Sequence, residues 1–412
     1  MINLEIPRKF ELLIAQAHQA AAEVLRPHSR TYDTAEHTYP KELDMLAALI
    51  DGMSESGAMG GAGAGTVGGG SSPSSGRPAR DGTTNRNGSN MASLVGLIEM
   101  CWGDVGLLLS MPRQGLGQAA IAAVADEEQL RRFGGKWAAM AITEPEAGSD
   151  SAAIRTTAQL DESTGEYVLN GEKIYVTSGD RAELIVVWAS LDRSQGRAAI
   201  KSFVVERDNP GLTLDRLEHK LGIRASDTAN FVLTDCRVPK ENLLGSPEIA
   251  PKGGFAGVMQ TFDNTRPMVA GMAVGVARAC LERTRELLTE AGIEIDYDRP
   301  AHRQPAAAAE FVAMEADWES ARLLTLQATW MADNHTPNSL QASMAKAKAG
   351  RMGTDVALRC VALAGATGYG EGELLEKWAR DAKILDLFEG TQQIQLLIIA
   401  RQLLGKTSAE LK

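Results

Sequence analysis

The sequence predicts an α+β fold, mostly helical, in which two helical segments flank a middle β segment. Apolar residues recur at helical spacing up to about Lys136 and again from about Gly253, but between Trp137 and Leu244 they alternate with a period of two. The β-rich runs are short and are followed by turn residues rather than long helices. That favours an antiparallel sheet or barrel over a nucleotide-binding βαβ unit. At 412 residues, 44% of them hydrophobic, the chain exceeds one small module, and two or three domains are expected. Boundaries are expected at 1–136, 137–245 and 246–412.

In the first segment Leu13, Ala17, Ala20, Ala21 and Val24 form one helical face, and Leu43, Leu46, Ala47 and Ile50 form a second. Between Gly52 and Gly88 the pattern vanishes, with 12 glycines in 37 residues. Glycine loses the most entropy on ordering and has no side chain to bury, so a flexible surface insertion is expected. Its GGAGAG run lacks the lysine of a phosphate loop. Helical spacing returns through Leu94, Val95, Ile98 and Cys101, and again over 116–124.

The middle segment contains EYVLNGEKIYVTSG, where two β-rich runs flank Asn170-Gly171, a pair suited to a two-residue hairpin turn. Further strands are expected over 184–188, 199–205 and 230–233. In the third segment, helices over 255–288, 305–332, 339–363 and 371–404 read as a four-helix bundle.

Charge and composition exclude several function classes. With 42 Lys+Arg against 53 Asp+Glu, the net charge of -11 gives no broad field for a nucleic acid. The four cysteines lie far apart, and the six histidines show no paired ligand spacing, so neither a disulfide framework nor a metal site is expected. The N-terminal MINLEIPRKFELLIAQ has no signal-like apolar run, and no stretch reads as the roughly 20 apolar residues of a membrane span. A cytoplasmic protein is the resulting expectation.

Three places bear residues suited to chemistry. TEPEAGSD, Thr143 to Asp150, combines hydroxyls with Gly148; its backbone either cradles a flat polar ligand or forms an ordinary turn. Tyr175 and Thr177 share one strand face, flanking a cofactor ring or packing on another domain. Ser178, in VTSGD, has no evident base beside it, which makes serine hydrolysis a poor reading. Near the C-terminus Glu389 follows Ile384, Leu385, Leu387 and Phe388 and precedes Gly390-Thr391. It is either a charged residue beside a helix start capped by Thr391, or a desolvated carboxylate raised into the range of a general base.

Taken together and in order, ITEPEAGSD, NGEKIYVTSGD, KLGIRASDTANFVLTDCRVPKENLLG, TFDNTRPMVAG and RDAKILDLFEGTQQIQ resemble the acyl-CoA dehydrogenase family across essentially the whole chain. The resemblance extends to its FAD-dependent, actinobacterial-type members of fatty acid β-oxidation. It implies that family's helical, β and helical-bundle architecture, and α,β-dehydrogenation of an acyl-CoA thioester to the trans-2-enoyl-CoA. Glu389 corresponds to the catalytic base. In some relatives the base sits instead at the position of Thr265, which cannot do the job. Met140, Ile142, Thr143, Ser149, Tyr175 (usually tryptophan), Thr177, Thr391 and Gln393 correspond to FAD contacts. Phe262, Asp263, Arg266 and Gly390 correspond to the acyl-CoA site. The implied electron acceptor is electron-transfer flavoprotein, and the implied assembly is a homotetramer. Two departures bear on that assembly. The family's Arg-x-x-Phe-Gly is replaced by IDYDRPAHRQP, and its Gln-x-x-Gly-Gly by Ala362-Leu-Ala-Gly365-Ala366. Both motifs reach the FAD of a neighbouring subunit, so an α2β2 heterotetramer with a second family subunit is the alternative. An acyl-CoA oxidase and a mainly structural subunit of a flavoprotein complex are the competing functions.

Overall fold

The computed structural model describes residues 6–55, 87–113, 116–249, 256–407 and 410; side chains of 49–55 and 256–264 are outside the description. Residues 56–86 of the glycine-rich stretch therefore lie outside the described residues. Helices α1 (Glu11–Ala20) and α2 (Arg26–Thr34) are joined by a π-helical turn and followed by α3 (Glu42–Glu55), α4 (Ser89–Leu109), α5 (Leu116–Val124) and α6 (Glu127–Phe133). A capping box between Asp126 and Gln129 starts α6. Seven strands follow: β1 (Ala138–Ala141), β2 (Thr157–Asp161), β3 (Glu166–Thr177), β4 (Leu184–Ser190), β5 (Ile200–Glu206), β6 (Leu212–Leu217) and β7 (Thr228–Pro239). The chain closes with α7 (Ala256–Glu290), α8 (Ala306–Asp333), α9 (Ser339–Tyr369), α10 (Leu375–Ala382) and α11 (Gln392–Leu404).

The helix–sheet–helix order is that of the sequence reading, with three corrections. The sheet is mixed rather than antiparallel: β1 runs parallel to β4, and the intervening loop and β2–β3 hairpin supply the crossover. Strand β4 is buried at all seven positions because it divides two cores. Ile185, Val187 and Ala189 face one; Leu184, Val186 and Trp188 face the other, with Ile121 of α5 and Phe133 of α6. Asn170-Gly171 is not a hairpin turn. It lies inside β3, at a register shift against β7 between Leu169 and Gly171. The glycine there serves a bulge, and the β2–β3 turn falls instead at Thr164-Gly165, where Gly165 has φ +73°. The fourth bundle helix is broken into α10 and α11, because Glu389 (φ +54°) and Gly390 (φ +90°) cannot continue a right-handed helix.

Helices from both ends of the chain share one core. Leu94, Ile98 and Cys101 of α4 pack with Met268, Val274 and Cys280 of α7 and with Met352 of α9. Helix α4, expected from its helical spacing, is also apolar enough by length and composition to cross a membrane, contrary to the expectation that no stretch would be; 83% of that window is buried inside the protein. It is a core helix.

All three segments are tied at one buried ionic cluster. Lys377 Nζ on α10 donates to Asp104 (2.5 Å) on α4 and to Asp381 (2.6 Å). Ser29 of α2 also donates to Asp104, and Asp381 accepts the Ile223 N–H (2.6 Å) from the loop between β6 and β7. That loop lies so close to α10 that a Cβ on Gly222 would sit 2.5 Å from the backbone of Arg380 and Asp381. Gly222→Ala is accordingly expected to cost about 1–3 kcal/mol in denaturant unfolding, and a stability equal to wild type would contradict this packing.

Candidate active site

The first wall of the site forms where β1 ends beside β3. Met140, Ile142 and Thr143 are half-buried, and the Ile174 N–H donates to the Thr143 carbonyl (2.9 Å). Beneath them Lys173, fully buried, bridges the Ile142 carbonyl (3.2 Å) and the Glu144 carboxylate (2.7 Å). Glu144 also accepts the N–H groups of Arg155 (2.5 Å) and Thr156 (3.0 Å). The Thr143–Asp150 loop is thus fastened from below, while Gly148 and Ser149 stay exposed.

On β3 a second irregularity falls between Lys173 and Val176. It re-aims Tyr175, which has φ +59° and is 61% exposed, its N–H held by Asn230 Oδ1 (3.1 Å). A large aromatic held outward in a left-handed backbone conformation is an expensive arrangement, and such outliers cluster at ligand sites. Thr177, two residues on, is exposed as well. An outward aromatic, flanking hydroxyls and an open glycine-bearing loop fit the ring and phosphate portions of a flavin dinucleotide.

The second part of the site is the turn between α10 and α11. Thr391 caps α11 by accepting the Ile394 N–H (3.4 Å), and Gln393 is exposed on its first turn. Glu389 is half-buried, with Thr265 of α7 donating to its Oε2 (3.0 Å). Burial pushes the carboxyl above its ordinary range, against the lowering pull of the Thr265 hydrogen bond and the charges of Lys346 and Arg266. Arg266 is buried beside it. Among the described residues, no acceptor takes the Glu389 N–H. Leu387, expected among the residues that desolvate the carboxylate, is instead 46% exposed, whereas Leu385 is buried and Ile384 and Phe388 pack against the core. The side chains of Phe262 and Asp263 lie outside the described residues.

Sequence reasoning missed Lys346 and Gln395, both fully buried beneath Glu389-Gly390. In AKAKAG nothing separates Lys346 from Lys348, which is on the surface with Asp317 (2.8 Å). The fold also brings Glu36, His37 and His219 together, their ligand-type atoms within 4.8 Å. Both Glu36 oxygens there are engaged, one by His219 Nδ1 and one by the Lys220 N–H (2.9 Å each).

Comparison with known proteins agrees with this architecture. Residues 252–404 match the acyl-CoA dehydrogenase C-terminal domain, and 139–236 the middle domain. The chain is 40% identical over 276 residues to the short-chain specific acyl-CoA dehydrogenase of Rattus norvegicus, covering 66% of this chain and 64% of that protein. It is 34% identical over 310 residues to the short-chain specific enzyme of Clostridium acetobutylicum, covering 74% of this chain and 79% of that one. Butyryl-CoA dehydrogenase of Megasphaera elsdenii superposes with a TM-score of 0.80 at 27% identity, covering 98% of this chain and all of that one. A chain from a structure described as the electron transferring flavoprotein of Acidaminococcus fermentans also gives 0.80, at 29% identity, over 98% and 100%. The rat, mouse, cattle and human relatives are mitochondrial, which overturns the cytoplasmic expectation. That expectation rested on an absence, and an absence does not distinguish one aqueous compartment from another.

Proposed function

Because the chain belongs to the acyl-CoA dehydrogenase family, we propose that it converts an acyl-CoA thioester to the trans-2-enoyl-CoA, with Glu389 removing the α-proton. One observation carries the reading: a carboxyl raised by burial and held by Thr265 sits on a left-handed residue whose own N–H meets no acceptor among the described residues. A raised pKa strengthens a carboxylate as a base towards a weakly acidic carbon. Removal of the α-proton builds charge on the thioester oxygen, and the Glu389 N–H is the donor suited to stabilise it. Bound FAD supplies the hydride-accepting chemistry for the β-hydrogen.

Met140, Ile142, Thr143, Ser149, Tyr175, Thr177, Thr391 and Gln393 would hold that FAD, and Phe262, Asp263, Arg266 and Gly390 the acyl-CoA. The contribution of Tyr175 separates from fold stability. Tyr175→Gly should relieve about 1–2 kcal/mol of backbone strain in the apo protein while removing a ring contact worth ~0.5–1.5 kcal/mol. The expected result is a higher apo melting midpoint together with faster flavin loss on dialysis; unchanged flavin retention would remove Tyr175 from the cofactor wall.

Electron-transfer flavoprotein is the proposed acceptor. Turnover with it, or with an artificial acceptor, should proceed without matching hydrogen peroxide. Stoichiometric peroxide would identify an oxidase instead. For the assembly we propose the homotetramer, with an actinobacterial-type α2β2 heterotetramer as the alternative. Ala362 stands where the family glutamine reaches a neighbour's flavin, and the adjacent Gly365 still breaks α9 with φ +59°. A flavin-replete tetramer of this chain alone would favour the homotetramer.

A further inference from the structure

The turn that carries Glu389 is unfavourable on its own terms. Glu389 and Gly390 take successive positive φ angles of +54° and +90°, and for a glutamate that region is sparsely populated. Two fully buried donors converge on its carbonyls. Lys346 Nζ, reaching from α9, donates to the Gly390 carbonyl (2.7 Å). Gln395, from the first turns of α11, donates to the carbonyls of Glu389 and Gly390 (3.2 Å each). Helix α9 forms the floor here: a Cβ on Gly350, one turn from Lys346, would meet the Leu385 carbonyl at 2.8 Å.

We propose that Lys346 is a positioning residue for the base: it grips the Gly390 carbonyl, fixes the left-handed Glu389-Gly390 turn, and supplies a buried positive charge facing the Glu389 carboxylate. The inference rests on Glu389 being the base. The groups facing that carboxyl are the Thr265 hydroxyl and Arg266 on α7 and Lys346 on α9; Asp386, from the preceding turn, faces Lys346. Burial lowers Lys346 to about 8, with Asp386 and Glu389 pulling it back up and Arg266 adding to the fall. It remains mostly cationic at neutral pH. Its charge favours the ionised form of Glu389, and its hydrogen bond orients both the carboxylate and the N–H. A structural lysine without this role would affect stability but not the titration of the base.

The test compares flavin-loaded wild type with Lys346→Met, which removes donor and charge, and Lys346→Gln, which removes only the charge. Both variants should bind flavin and acyl-CoA with KM little changed. The acid limb of the kcat–pH profile should move to higher pH by about one unit in both, a tenfold loss at fixed acidic pH. In Lys346→Met, kcat should also fall at least about tenfold on the pH plateau. If Lys346→Met does not load flavin, the limb of Lys346→Gln decides. An acid limb at its wild-type position in a flavin-loaded variant overturns the proposal. Glu389→Gln, run alongside, separates the two readings. Its inactivity with unshifted Lys346 profiles refutes only the role of Lys346, whereas wild-type activity in Glu389→Gln refutes the base itself.

Discussion

Replacing Glu389 with Gln should leave a folded, flavin-binding protein whose dehydrogenation rate has fallen by roughly 10²–10⁴-fold. The amide oxygen still accepts from the Thr265 hydroxyl, which now donates to Oε2 at 3.0 Å, and glutamine tolerates φ +54° no worse than glutamate. The backbone N–H is untouched, so polarisation of the thioester survives while proton removal does not. The matched pH prediction follows from direction alone. Burial raises Glu389 above its ordinary value of 4.5, and the base works only when ionised. In wild type, kcat/KM should therefore fall with decreasing pH from a point above 4.5, and the residual rate of Glu389→Gln should lack that limb.

The second large effect is on the fold. Lys377→Met should destabilise the protein by about 3–5 kcal/mol, since it strands buried partners of an ion cluster. Asp104 and Asp381 are each at most 1% exposed, and both lose a donor at 2.5–2.6 Å. Asp381 is already pushed up by burial, with Lys377 pulling it back down. Without Lys377 the folded Asp381 carboxyl binds its proton more tightly than the unfolded one. The folded state of the variant is then favoured at low pH and loses stability as pH rises above about 4, so the deficit is largest at neutral pH. Neutralising the whole cluster (Lys377→Met with Asp104→Asn and Asp381→Asn) should recover part of the loss, because asparagine still accepts the Ile223 N–H. Chemical denaturation at two pH values measures both effects.

The periodic parts of this fold were legible in the chain. Helix α5 falls on the apolar run over 116–124, and β4 and β5 on the β-branched runs, because side-chain spacing reports which face is buried. Pairing between distant strands leaves no such local signature, which is why the parallel β1–β4 register went unread. Asn170-Gly171 misled for a related reason: a glycine needed for a bulge looks the same as one needed for a turn. Glu389 stood out because it precedes a helix cap after an apolar run, and because its motif resembles a known family. Lys346 was invisible, since only burial on α9 distinguishes it from Lys348.

Oxidation of an acyl-CoA through a base at position 389 would bleach the bound flavin as enoyl-CoA forms. Anaerobic mixing of the flavin-loaded protein with a panel of straight and branched acyl-CoA thioesters tests it most directly, with the visible flavin band and the thioester product followed together. The expected result is bleaching of the band with matching formation of enoyl-CoA in wild type, and none above background in Glu389→Gln. A flavin-loaded wild type that no acyl-CoA bleaches, or a Glu389→Gln variant that bleaches as fast as wild type, would contradict it.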